Sequence, residues 1–151
     1  MPELSLAQWR ETLETDLDGV FLTFRAFIPS LIRQLSGSLI AVSSMTGKRP
    51  LHGRIPYAAA KMGLVGLMRT LAVELGPHGV RANTVCRGGV AGPRIDDVIA
   101  RQAATLGITV EEARASFTAA SPLSRLVEAG EVAAACAFLA SDAAYPSPAR
   151  T

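Results

Sequence analysis

The sequence predicts an α/β protein in which parallel strands alternate with helices. A short, continuous apolar run at residues 38–43 has the pattern of a strand that is buried on both faces, and residues 80–86 form a second strand candidate. Helical patterns precede, separate and follow these two segments, and parallel strands joined by helices form layered α/β domains. Because two such strands do not make a stable sheet alone, we expect the chain to be part of a larger fold.

The first long helix is predicted to begin at Ser5, because Ser5 and Gln8 can form a capping box that satisfies free backbone amides. Apolar residues then recur every three or four positions, which is typical of a helix with one buried face. These residues are Leu6, Trp9, Leu13, Leu17, Phe21, Phe24 and Ile28. Pro29 is expected to kink or tighten the last turns, and Ser36-Gly37 to end the helix.

The second helix is predicted to begin near Pro56, which suits a first helical turn, and to end at Gly76-Pro77. After the second strand, Gly88-Gly89 and Gly92-Pro93 indicate a loop. Three further helices are predicted beyond it, near residues 95–106, 110–119 and 128–141.

Composition and charge exclude several classes of function. Of the residues, 49% are hydrophobic and 19% are charged, which is typical of a globular protein. The formal net charge of +2 is not clustered, so we expect no nucleic-acid partner. No apolar run approaches the roughly 20 residues that span a bilayer, and the amino terminus lacks a signal peptide. We therefore expect a cytoplasmic protein without membrane contact, whose Cys86 and Cys136 are reduced.

Two polar residues of the second helix fall on an otherwise apolar stripe. Tyr57 and Lys61 lie one turn apart, and apolar residues complete the stripe at Leu64, Met68, Leu71 and Leu75. An ammonium beside a phenol stabilises the phenolate, which suits the pair to protonate a carbonyl oxygen or to deprotonate an alcohol. The alternative is a surface pair near the start of a helix.

Small polar and glycine residues follow both predicted strands, where open α/β sheets place their sites. Ser43-Ser44 ends the first strand, and a serine hydroxyl there would bind a substrate oxygen and stabilise developing charge. Gly88-Gly89-Val90 follows the second strand, and its glycines would let backbone amides approach a planar ligand. The alternatives are an ordinary strand-end turn and a plain loop.

The residues and their spacing resemble the active site of the short-chain dehydrogenase/reductase family. Ser44 is followed thirteen positions later by Tyr57 and then by Lys61, within the stretch GSLIAVSSMTGKRPLHGRIPYAAAKMGLVGLMRTLAVELGPHGVRANTV. The resemblance extends to about Ala144 and covers the later half of the family's domain. It implies a partial Rossmann-like fold, that is, part of a doubly wound parallel sheet.

The resemblance also implies a function, namely an NAD- or NADP-dependent oxidoreductase that interconverts a small-molecule secondary alcohol and a ketone. By family position, Tyr57 would be the general acid and base, Lys61 would bind the nicotinamide ribose, and Ser44 would orient the substrate oxygen. Tyr57, Lys61 and the loop of Gly88, Gly89 and Val90 would contact the cofactor, with the Val90 backbone holding its carboxamide.

The sequence departs from the family pattern in ways that bear on activity. It contains no G-x-G-x-x-G turn to bind the cofactor's phosphates. Asp16 stands at the catalytic position where the family usually has an asparagine. Because an ionised carboxylate only accepts hydrogen bonds, Asp16 would alter the water-mediated proton relay that the resemblance implies. The end of the chain, YPSPART, also differs from the family's closing turn and strand. We therefore expect one truncated, partial domain over residues 1–151, family-like to about 144, with an irregular tail at 145–151.

Two other functions are considered. One is a catalytically inactive fragment that serves only as an association module, because the family's two long helices pack against the same helices of a neighbour. The resemblance thus implies a homo-oligomer, and Ala59, Gly63 and Gly66 would permit close helix approach. A serine hydrolase using Ser44 and His52 lacks the G-x-S-x-G turn. No metal site is predicted, since the histidines lack partners at metal-ligand spacing.

Overall fold

The computed structural model describes residues 3–49, 53–119 and 121–145, and its elements follow the predicted order. The helices are α1 (Leu6–Leu13), α2 (Gly19–Gln34), α3 (Ile55–Leu75), α4 (Pro93–Leu106), α5 (Val110–Ala119) and α6 (Ala129–Ala140). The strands β1 (Gly37–Ser44) and β2 (Val80–Arg87) pair in parallel, with α3 as the crossover between them. The predicted α/β class is confirmed. His52 and most of the predicted tail lie outside the described residues.

The chain divides into two compact units, residues 1–86 with 135–151 and residues 87–134. The single partial domain that the sequence predicts therefore stays a prediction. None of the described helices has both the length and the hydropathy that crossing a bilayer would require.

The first predicted helix is interrupted by a wider turn. The capping box is present, since the Gln8 amide donates to Ser5 Oγ (3.2 Å) and the Ser5 amide donates to Gln8 Oε1 (3.0 Å). A π-helical turn, Glu14–Asp18, then separates α1 from α2. An extra residue in one turn rotates all later residues about the axis. Most of the predicted stripe is still partly buried, namely Trp9, Leu13, Leu17, Phe24 and Ile28, but two of its members are exposed. Leu6 is 61% exposed and Phe21 is 46% exposed.

The core of the first unit lies between the sheet and the helices α2 and α3. Its buried apolar residues are Leu39, Ala41, Met68, Leu75 and Val80. Partly buried residues pack against them, namely Val20, Phe24, Ile28, Leu31, Ile32, Leu71 and Ala82. Apolar burial of this kind supplies most of the free energy that holds a helix on a sheet. It fixes α3 so that its first turns contact the segment that follows β1.

One arginine ties the last part of the chain to β2 in the first unit. Arg81 Nη1 donates to the Leu139 carbonyl (2.6 Å) and Nη2 donates to the Ser141 carbonyl (3.1 Å). The Tyr145 ring centroid lies 4.9 Å from the guanidinium, and the Tyr145 hydroxyl donates to the Gly79 carbonyl (2.8 Å). These bonds satisfy carbonyls at the carboxyl end of α6, where a cation is also favoured by the helix dipole.

The second unit has a small core of its own between α4 and α5. Its residues are Ile99, Ala103 and Ala113, with Ile95 and Phe117 packed against them. Arg125 pairs with Glu131 through both of its terminal nitrogens, at 2.8 and 2.6 Å. The Arg125 guanidinium, followed by the Glu128 amide, lowers the pKa of Glu131 to about 2 by hydrogen bonding. This pair organises the turn that leads into α6.

Candidate functional site

The structure brings Tyr57 and Lys61 together on the first turns of α3. The Lys61 ammonium lies 5.5 Å from the centroid of the Tyr57 ring, within the range of a cation–π interaction. Lys61 is only 9% exposed, because the stripe that it shares with Leu64 and Met68 faces the interior. Within the described ranges, the Tyr57 hydroxyl makes no hydrogen bond. The pair therefore combines a half-buried phenol, a buried cation and a phenolic proton that no described neighbour holds.

Asp16 reaches the same ammonium from the π-helical turn. Its Oδ1 atom lies 2.9 Å from Lys61 Nζ, and the side chains of Asp16 and Lys61 are 20% and 11% exposed. The sequence singled out Asp16 only through its family position, and it predicted neither the ion pair nor the π-helical turn that carries the carboxylate. The ion pair compensates a charge that is otherwise costly to bury.

Ser44 lies at the end of β1, buried, with its hydroxyl turned to the following turn, Met45–Gly47. Ser44 Oγ accepts from the Thr46 amide (3.1 Å) and donates to Thr46 Oγ1 (3.2 Å). Among the described residues, the hydrogen bonds of the Ser44 hydroxyl therefore go to Thr46 and not to Tyr57 or Lys61. A hydroxyl has one donor and two lone pairs, so one acceptor position stays open.

Two residues that sequence reasoning did not assign to the site hold the main chain of Lys61. The hydroxyl of Ser43, which is 1% exposed, donates to the Lys61 carbonyl (2.8 Å). Gly47 lies against the same peptide: a Cβ there would be 3.0 Å from Lys61 C and from Met62 N. The detectable signal was the small size of both residues near the end of a strand, since only small residues allow a helix backbone to approach so closely.

The loop of Gly88, Gly89 and Val90 belongs to the second unit, where Val90 forms an isolated parallel bridge with Val127. The Val127 amide donates to the Gly89 carbonyl and the Ala91 amide donates to the Val127 carbonyl, both at 2.8 Å. The N–H and C=O of Val90 itself find no hydrogen-bond partner in the part of the chain that the structure describes. This free amide edge presents one donor and one acceptor, which can pair with the C=O and one N–H of a primary carboxamide.

Comparisons with known proteins identify the family. The family model described as enoyl-(acyl carrier protein) reductase matches residues 1–146. The acetoacetyl-CoA reductase of Synechocystis sp. is 36% identical over 143 residues, which are 95% of this chain and 55% of the relative. The chain belongs to the short-chain dehydrogenase/reductase family.

Solved structures of the short-chain dehydrogenase/reductase family agree with the fold. Sorbitol-6-phosphate 2-dehydrogenase from Erwinia amylovora superposes with a TM-score of 0.90 at 32% identity, over 97% of this chain and 58% of that chain. The F189W actinorhodin polyketide ketoreductase with NADPH superposes with a TM-score of 0.87 at 32% identity, over 95% of this chain and 56% of that chain. The chain thus spans about half the length of each of these three proteins.

Proposed function

We propose that the chain supplies the acid–base residues of an NAD- or NADP-dependent oxidoreductase that interconverts a secondary alcohol and a ketone. The observation that supports the proposal is the environment of Tyr57. Its hydroxyl makes no hydrogen bond to any described residue, and the Lys61 ammonium lies 5.5 Å from the centroid of its ring. Such a phenol can give its proton to a carbonyl oxygen because the cation stabilises the phenolate that remains.

In the first unit, Lys61 suits the ribose at the nicotinamide end of the cofactor. An ammonium has three donors, and the Asp16 carboxylate takes one from Lys61, so two are left for ribose hydroxyls. In the second unit, taken by itself, the N–H and C=O of Val90 have no described partner and remain available for the carboxamide contact that the family resemblance implies. When bound, the cofactor supplies or accepts the hydride. The related polyketide ketoreductase, whose structure is with NADPH, supports this choice of cofactor.

The residues of this chain would then divide the work of proton transfer. In the reducing direction, Tyr57 donates its phenolic proton to the substrate's carbonyl oxygen, and Lys61 stabilises the resulting phenolate. In the oxidising direction, the Tyr57 phenolate removes the proton of the substrate hydroxyl. Ser44 has one open acceptor position and a hydroxyl proton that can turn from Thr46 to the substrate oxygen, which it would orient. Asp16 enters the site as the partner of the Lys61 ammonium.

A pair of tyrosine variants tests the proposal. The chain has two tyrosines, Tyr57 and Tyr145, so Tyr145→Phe is a matched control for Tyr57→Phe. We would measure oxidation of NADPH and NADH with acetoacetyl-CoA and a panel of simple ketones. Loss of the general acid should lower turnover by about 10²- to 10⁴-fold in Tyr57→Phe and leave Tyr145→Phe near the parent value. Unchanged turnover in Tyr57→Phe would refute the assigned role.

A second candidate function is that of an inactive association module, with α2 and α3 forming the contact between copies. Large apolar side chains on these helices are exposed and favour it: Phe21 (46%), Phe27 (61%), Met62 (51%) and Val73 (78%). This candidate predicts a concentration-dependent dimer without a fluorescence change on titration with NADPH or NADH. Saturable cofactor binding would reject it. The two functions are compatible, and the sequence favours an oxidoreductase that is also a homo-oligomer and is located in the cytoplasm.

A further inference from the structure

We infer that Asp16 and Ser43 clamp Lys61 at its two ends, so that its ammonium is fixed beside Tyr57 before any cofactor or substrate binds. The inference rests on the proposed function in taking Lys61 as the cation that serves Tyr57. It assigns Asp16 and Ser43 as positioning residues, because both act through Lys61 and neither is required to touch a reacting atom.

The main-chain end of the clamp is formed by β1 and the turn that follows it. Ser43 donates to the Lys61 carbonyl at 2.8 Å, and Ser43 is almost completely buried. That carbonyl lies inside α3, so the hydroxyl is bonded to an otherwise complete helix rather than to a free helix end. Gly47 lies against the same peptide bond, where a Cβ would be 3.0 Å from Lys61 C and from Met62 N. Together these contacts fix the position from which the Lys61 side chain starts.

The ammonium end of the clamp is formed by the π-helical turn. A lysine side chain has four rotatable bonds, so a fixed backbone alone does not fix its ammonium. Asp16 Oδ1 holds Nζ at 2.9 Å, in a place where both side chains are largely shielded from water. Exposed ion pairs order their side chains weakly, whereas a shielded pair resists exchange with water. Asp18, two residues further on, is exposed and makes no ion pair within the described ranges.

The composition of the chain allows a direct test. Its two lysines are Lys48, which is exposed, and Lys61. Labelling with ¹³C,¹⁵N-lysine therefore gives two side-chain signals in NMR spectra, one of which is an internal reference. In the unliganded protein, we expect the Lys61 ammonium hydrogens to exchange with water at least tenfold more slowly than those of Lys48, and the Lys61 side chain to be more rigid.

Variants then separate the two ends of the clamp. In Asp16→Asn and Asp16→Ala, Lys61 should approach the exchange rate and mobility of Lys48. In Ser43→Ala, the carbonyl signal of Lys61 should shift while its ammonium stays partly protected. Asp18→Asn, which changes the charge of the same turn by the same amount, should leave both lysines unchanged. Circular dichroism would establish that each variant is folded.

The inference fails if Lys61 exchanges as fast as Lys48 in the parent protein, a comparison that needs no variant. It also fails if folded Asp16→Asn and Asp16→Ala retain a protected Lys61. Neither result depends on turnover. A clamped Lys61 together with full activity of Tyr57→Phe would overturn the proposed function alone, and a mobile Lys61 with an inactive Tyr57→Phe would overturn the clamp alone.

Discussion

The close approach of Gly47 to α3 makes the same substitution, glycine to alanine, act in opposite directions at two positions of the chain. A Cβ at residue 47 would lie 3.0 Å from Lys61 C and Met62 N and 3.1 Å from Lys61 O, all of them backbone atoms that cannot rotate away. A Cβ at Gly66, in the middle of α3, would meet no atom within 4 Å. Alanine at 47 therefore has to separate the turn from the helix, whereas alanine at 66 fills open space.

The expected magnitudes follow from these distances. Forcing a methyl group into a packed contact costs about 1–3 kcal/mol of unfolding free energy. The stiffer unfolded chain of an alanine variant offsets about 0.4–1 kcal/mol of that cost, which leaves Gly47→Ala less stable by about 1–2 kcal/mol. Gly66→Ala should instead gain about 0.5–1 kcal/mol from helix propensity. The two variants should therefore differ by about 2 kcal/mol.

Urea unfolding monitored by circular dichroism measures this difference. With a slope of about 1–3 kcal/mol per molar urea, the two midpoints should separate by about 1 M. Gly63→Ala should fall between them, because its Cβ would meet the flexible Leu17 side chain at 3.1 Å. Melts at two protein concentrations would detect any association through α3. Equal midpoints for Gly47→Ala and Gly66→Ala would show that Gly47 is not in close contact with α3. That result would also count against the inferred role of this contact in fixing the Lys61 main chain.

Two further predictions concern other parts of the chain. Arg125 lowers the pKa of Glu131 to about 2 from its ordinary value of 4.5, so the stabilisation from this pair is complete above pH 4.5 and is lost as the pH falls towards 2. An NMR titration of Glu131 should have its midpoint near 2, and Arg125→Gln should return that midpoint towards 4.5. A midpoint that Arg125→Gln does not move would contradict the assignment. Arg81→Lys keeps the charge, but one ammonium cannot replace the two terminal guanidinium nitrogens that bond the Leu139 and Ser141 carbonyls. The variant should therefore lower the free energy of unfolding, measured in urea, by about 1–2 kcal/mol. Equal stability would show that the paired bonds are not needed.

Much of the fold could be predicted from the sequence because local patterns determine it. The apolar run at 38–43 and the alternation of helices and strands gave both strands within about one residue of their observed ends. The helix containing Tyr57 and Lys61 was predicted within one residue at each end, since Pro56 and Gly76 mark its limits. Its stripe faces the interior because a period of 3.6 residues fixes which side chains share a face.

The features that the sequence did not predict arise from contacts between distant segments. Nothing in residues 14–18 distinguishes a π-helical turn from an α-helical one, so the interruption was missed and Phe21 was placed on the buried face. The bond from Ser43 to the Lys61 carbonyl joins residues 18 positions apart, and only the packing of α3 on β1 creates it. Sequence reasoning favoured Ser44 over Ser43 because family spacing specifies substrate contacts, not the residues that support them.

The π-helical turn at Glu14–Asp18 allows one continuous helical segment to contact two different elements. Before the turn, α1 contacts α3; after it, α2 lies against β1. A uniform α-helix has one apolar face in a fixed direction, so it could not be oriented for both the α3 contact and the β1 contact. The inserted residue rotates α2 relative to α1, and within this turn Asp16 places its carboxylate 2.9 Å from the Lys61 ammonium of α3. The irregular turn thus allows one helical segment both to pack on the sheet and to contribute a residue to the candidate site.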